Sequence, residues 1–68
     1  VIDRTGQVWR IIDYHDDPIV LVISTNMERR VHRVLVLDVG TPSRRSRWDV
    51  GDVKTYGEFA DGVSQRIA

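Results

Sequence analysis

The chain has 68 residues, ten basic and ten acidic side chains, no cysteine and two histidines. This allows a single domain and excludes a disulfide framework, a thiolate metal site and a thiol nucleophile. Hydrophobic residues at 41% and charged residues at 29% are the composition of a folded domain rather than a disordered tail. The longest apolar run, Ile19 to Ile23, is far too short to cross a bilayer, so no membrane role is expected. No charged-then-apolar segment opens the sequence, and the expectation is a cytoplasmic protein.

Val1 to Thr5 reads as a lead-in. After Gly6, the segment Gln7-Val8-Trp9-Arg10-Ile11-Ile12 is rich in β-branched and aromatic residues and predicts strand one. Asp13 to Pro18 is polar and ends in proline, so it reads as a loop. Ile19 to Ser24 is the clearest strand, apolar on both faces. Thr25 to Arg30 is a polar connection of hairpin length. Val31 to Val39 predicts strand three, again apolar on both faces at Val34-Leu35-Val36-Leu37. Gly40 to Ser46 is a loop by composition. Arg47-Trp48-Asp49-Val50 alternates and predicts a fourth strand stopped by Gly51. In the tail, Phe59, Val63 and Ile67 fall on one helical face, with Gly57 and Gly62 opposing a helix. The alternative is a fifth short strand near Val53 to Tyr56 followed by an irregular tail.

Strands that are apolar on both faces cannot lie flat in water. The expected fold is therefore mostly β: a small SH3-like barrel of four to five strands, with a C-terminal helix as one option. A core this small supplies roughly 3–5 kcal/mol. With no disulfide available, tight β packing or burial against a second chain is the remaining source of stability, and a homodimer is expected.

Zero net charge conceals a division. Residues 1–27 sum to −2, residues 28–47 to +4 and residues 48–68 to −2. The basic third holds two clusters, Arg29-Arg30-Arg33 and Arg44-Arg45-Arg47, at opposite ends of the predicted third strand. Nine of the ten basic residues are arginine, the better binder of phosphate and carboxylate. A GC-rich coding sequence, as in a bacterium or its phage, gives the same bias. A strand of about nine residues is roughly 30 Å long, so the clusters do not form one compact patch. Alternation puts Arg29 and Arg33 on one face and Arg30 with His32 on the other. As arginine-rich loops, with Trp9, Tyr14 or Trp48 for base stacking, the clusters are the candidate binding residues for nucleic acid or an acidic protein. The plainer reading is solvated loop charge, partly paired with the acidic thirds.

Chemistry is harder to find. His15, Asp16 and Asp17 are adjacent in a loop, where neighbours seldom converge on one ion, so no metal and no cofactor is expected. Ser24 has no nucleophile elbow around it, and the five glycines form no phosphate cradle. Metal-free RNA cleavage would need an acid or base and arginines. His15, His32 and the arginines supply the types without a pattern.

One resemblance bears on this. Gly6-Gln7-Val8-Trp9-Arg10-Ile11-Ile12, a loop, then Pro18-Ile19-Val20-Leu21-Val22-Ile23-Ser24-Thr25-Asn26 resembles the opening of MazF/PemK-type toxins, and Val31 to Val39 is similar to their third strand. It covers about half the chain, Gly6 to Val39. It implies an SH3-like barrel, a dimer, cofactor-free cleavage of single-stranded RNA and an antitoxin partner. That family carries an arginine just before the proline, important for cleavage, where this chain has Asp17, and no catalytic residue transfers. The leading expectation is a non-catalytic binding or regulatory module. The alternatives are a divergent toxin-type endoribonuclease and a structural, self-associating protein.

Overall fold

The computed structural model describes residues 1–12, 17–40, 48–60 and 62–68. They form one antiparallel sheet of five strands: β1 (Val8–Ile11), β2 (Ile19–Asn26), β3 (Val31–Asp38), β4 (Val53–Tyr56) and β5 (Ser64–Arg66). The spatial order is β4-β3-β2-β1-β5. The chain thus runs as a meander through β4, and β5 returns beside β1. The mostly-β expectation holds. The sheet is not closed into a barrel, because its edge strands β4 and β5 pair with β3 and β1 but not with each other.

One face of the sheet carries the core. Trp9 and Ile11 from β1, Val20 and Val22 from β2, and Val34 and Val36 from β3 are buried, and Trp48 and Phe59 complete the cluster from the connecting segments. Alternation alone would send successive β2 residues to opposite faces. Two β-bulges adjust this. The register jumps between Val22↔Val34 and Ser24↔Arg33, so Ile23 is an extra residue and both Ile23 and Ser24 lie outside. Thr25 then returns to the inner face opposite His32. The second jump, between Ile19↔Asp38 and Val20↔Val36, leaves Leu37 exposed.

Two expected elements are corrected. No strand forms over residues 48–50: Trp48 packs in the core, and Val50 and Gly51 make a turn with Gly51 at φ 90°. The fourth strand is Val53–Tyr56 instead. The optional C-terminal helix is replaced by β5. Phe59 is buried, whereas Val63 and Ile67 are 49% exposed, so their helical spacing does not mark a common buried face. Gly62 takes φ 85°, which a right-handed helix does not permit, and β1 offers a free edge that pairs Trp9↔Arg66, Arg10↔Gln65 and Ile11↔Ser64. Sheet pairing satisfies backbone groups that a glycine-weakened helix would hold poorly. Among the described residues no helix is long and apolar enough to cross a membrane.

Candidate functional site

The β2–β3 hairpin carries the features from which a site can be built. Met27 to Arg30 form its turn. Asn26 Oδ1 accepts a hydrogen bond of 2.9 Å from the Arg29 backbone N–H, a local bond that asparagine commonly makes in turns. Arg30 closes the turn at φ 58°, in the left-handed region. Beside the turn lies an open groove of about 630 Å³, lined by Ser24, Thr25, Asn26, Met27, Glu28, Arg29, Val31, Arg33 and Thr55. Arg33 stands on β3 between Ser24 of β2 and Thr55 of β4, and Arg29 reaches the groove from the turn.

Neither guanidinium has an ion pair or side-chain hydrogen bond among the described residues, where the Arg–carboxylate ion pair is Arg4–Glu58. Two cations without a partner among the described residues, the hydroxyls of Ser24 and Thr55 and the Asn26 amide therefore share one concavity, the Thr25 hydroxyl being turned to His32. Glu28 offsets part of the charge and leaves the groove net positive. Such a surface can hold phosphate or carboxylate oxygens. None of its lining residues is a histidine, and the imidazole that the Thr25 hydroxyl contacts is buried on the inner face of the sheet.

The other expected site residues fare differently. Arg30 is exposed on the turn but does not line the groove. Arg44, Arg45 and Arg47 lie outside the described residues, as do Tyr14, His15 and Asp16. Trp48 is only 9% exposed and belongs to the core, with the Tyr56 ring 6.2 Å away and the Lys54 ammonium 5.5 Å from its ring centre. It therefore offers no open stacking platform. Trp9 is equally buried, stacked on Phe59 at 4.7 Å.

A polar network on the inner face is absent from the sequence-based site. His32 is fully buried. Its Nδ1 lies 2.8 Å from Thr25 Oγ1 and its Nε2 3.3 Å from Glu58 Oε1. Thr25 Oγ1 also accepts the Arg4 backbone N–H at 3.1 Å. Thr25 can thus give its own hydroxyl hydrogen to Nδ1, and Nε2–H then points at the carboxylate. Glu58 is held further by Arg4 Nε at 2.8 Å and the Phe59 N–H at 3.0 Å. The Arg4 guanidinium rests 5.0 Å from the Trp9 ring. This network ties residues 1–7 and the segment after β4 to the sheet. Its imidazole is fully buried and meets the groove only through Thr25. Thr25, His32 and Glu58 are too far apart in sequence for any spacing rule to join them. Only the buried parity of His32 could have hinted at it. Among the described residues no group of three or more His, Asp or Glu could hold a metal ion.

The same network predicts an acid response. Arg4, then the Phe59 N–H and His32, hold the Glu58 carboxyl down at about 2 against an ordinary 4.5, with partial burial opposing them. Asp3 is lowered too, chiefly by its hydrogen bond from the Thr5 hydroxyl at 2.7 Å. A carboxylate lowered in the folded state contributes its full stabilisation above the unfolded value and loses it as pH falls through the folded one. Stability is therefore expected to decline from about pH 4.5 toward pH 2. Glu58 is 38% exposed, so solvent screens the pair and its share is about 1 kcal/mol. Urea midpoints measured across this window should fall less steeply in Glu58→Gln than in the parent. Equal slopes in the two proteins would show that the acid response arises elsewhere.

Comparison of the chain with protein-family models, with curated proteins and with solved structures finds no match.

Proposed function

We propose that this protein is a small non-catalytic binding module whose hairpin groove takes an acidic ligand, with nucleic-acid phosphates as the first candidate and a carboxylate-rich protein segment as the second. The observation that supports it is the placement of Arg29 and Arg33, neither paired among the described residues, on one groove with Ser24, Asn26 and Thr55. The tryptophans are buried, so contact is made to the backbone of a nucleic acid rather than by stacking on its bases. Binding is accordingly expected to depend strongly on salt and weakly on sequence. Two phosphate contacts on a single strand give a logarithmic salt slope of about −1.4.

The test is titration of labelled single-stranded RNA, duplex DNA and a polyglutamate peptide at low and moderate salt, with the nucleic acids also run on a denaturing gel. Arg29→Ala and Arg33→Ala are each expected to weaken binding several-fold and to lower the salt slope by about 0.7. Peptide binding without nucleic-acid binding would assign the groove to an acidic protein. Cut RNA would favour the toxin-type endoribonuclease despite Asp17. Absence of binding to all three at low salt would overturn the proposal.

A further inference from the structure

The core occupies one face of the sheet, and the opposite face is covered by no element of the described residues. A continuous apolar row crosses it. Register pairs Val8 with Leu21, Leu21 with Leu35 and Leu35 with Val53, so these four side chains share that face across β1, β2, β3 and β4. Ile67 and Ala68 both donate to the Val8 carbonyl, the bulge geometry that lays Ile67 beside Val8 and extends the row to the far edge. Val53 and Ile67 at its ends are 45% and 49% exposed, and Ile23 and Leu37 flank it, also exposed.

The charges on this face have a symmetry of their own. A second row reads Arg10, Ile19, Asp38 across β1, β2 and β3. The cation and the anion thus stand one strand to either side of β2, about 10 Å apart. Neither has an ion-pair partner among the described residues. Arg33 is the remaining charge on the outer face of these strands, and the corresponding position across β2 is Gly6, which bonds Val22 O through its N–H and presents no side chain.

We propose that this face docks against the same face of a second copy of the chain, about a two-fold axis that runs along β2. The axis follows from the charges. A rotation about β2 exchanges β1 with β3, so Arg10 of each copy meets Asp38 of the other, twice per dimer. Val8 then meets Leu35, Ile67 meets Val53, and Leu21 meets itself. Arg33 enters the space left by Gly6, and no like charges oppose each other. An axis across the strands at the level of Arg10 would instead bring Arg10 onto Arg10. Self-complementarity of this kind is what an isologous contact requires. The rotation keeps the strand direction, so the two hairpin turns lie at the same end of the dimer, where each keeps Arg29 exposed. Arg33 and Thr55 belong both to this face and to the groove, so a ligand held by Arg33 competes with the dimer, and the dimer is tested without ligand.

The test combines sedimentation of the full chain over a wide concentration range with charge reversal. A monomer–dimer equilibrium is expected. Arg10→Asp and Asp38→Arg should each raise the dissociation constant about tenfold or more, because each creates two like-charge contacts. Both reversals together should restore it, and circular dichroism should show all variants folded, since both side chains are exposed. A second measurement needs no charge change. The chain lacks cysteine, so Leu21→Cys provides a single thiol on the axis, and a bis-maleimide of about 10 Å reach should link it to itself across two stacked sheets. Thr55→Cys on β4, whose symmetry mate lies roughly 22 Å away, should not be linked. A chain that stays monomeric at millimolar concentration overturns the proposal. So does a dimer that ignores both reversals or leaves the Leu21→Cys thiol unlinked.

Discussion

Phe59→Ala is expected to leave the chain largely unfolded at room temperature. Phe59 is 5% exposed and stands where three rings converge: Trp9 stacked at 4.7 Å, Tyr56 at 4.9 Å and His32 at 5.3 Å. Removing a buried phenylalanine costs about 3–5 kcal/mol from lost transfer energy and the cavity left behind. A domain of this size holds roughly that much stability in total. The loss cannot be repaired by collapse, because β1, β3 and β4, which carry the surrounding rings, are fixed by their ladders in the sheet. Near-ultraviolet circular dichroism should report it directly through the Trp9–Phe59 stack. Phe59→Leu refills most of the volume and should cost about 1–2 kcal/mol, leaving a folded protein with a lower urea midpoint. A folded Phe59→Ala chain with an unchanged midpoint would mean that the segment after β4 is not part of the core.

His32→Ala is the second large effect, by a different route. The imidazole has no exposed surface and satisfies polar groups on both sides. Truncation leaves a void, strips the Thr25 hydroxyl of its acceptor and removes a donor from Glu58. Void and orphaned hydroxyl together are expected to cost about 2–4 kcal/mol. His32→Asn keeps an oxygen near the position of Nδ1 that can accept from Thr25, and should recover part of the loss. Urea unfolding of the three proteins, followed by tryptophan fluorescence, gives the ranking. Equal midpoints for His32→Ala and His32→Asn would show that packing alone, and not the Thr25 bond, makes this position matter.

Both effects depend on groups brought together from distant parts of the chain, which is where reading the sequence stops being sufficient. Ile19 to Asn26 and Val31 to Asp38 were legible as strands because β-branched residues repeat there without a breaker, and a polar turn separates them. Arg29 and Arg33 were legible as candidate ligands from charge alone. That Arg29 and Arg33 share a face that Arg30 does not was legible from strand alternation; that this face forms a groove follows from the turn and from pairing with β4, neither of which is written in residue spacing. Trp48 was legible as an aromatic beside a basic cluster, and its burial was not. An aromatic side chain serves equally as core or platform, and only the neighbours that cover it decide between them.

The sequence by itself determined mostly β structure without disulfides, two long strands apolar on both faces, and a basic hairpin. These are consequences of composition and local pattern, which act over a few residues. Tertiary structure alone decided the rest. It placed two bulges that set which β2 and β3 residues face inward. It recruited the tail into β5, because the free edge of β1 satisfies more backbone groups than a helix interrupted by glycine can. It also joined Arg4, Thr25, His32 and Glu58 into one buried network. Each of those outcomes is a competition between alternatives of similar local energy. Long-range pairing and burial, which have no local signature, settle it.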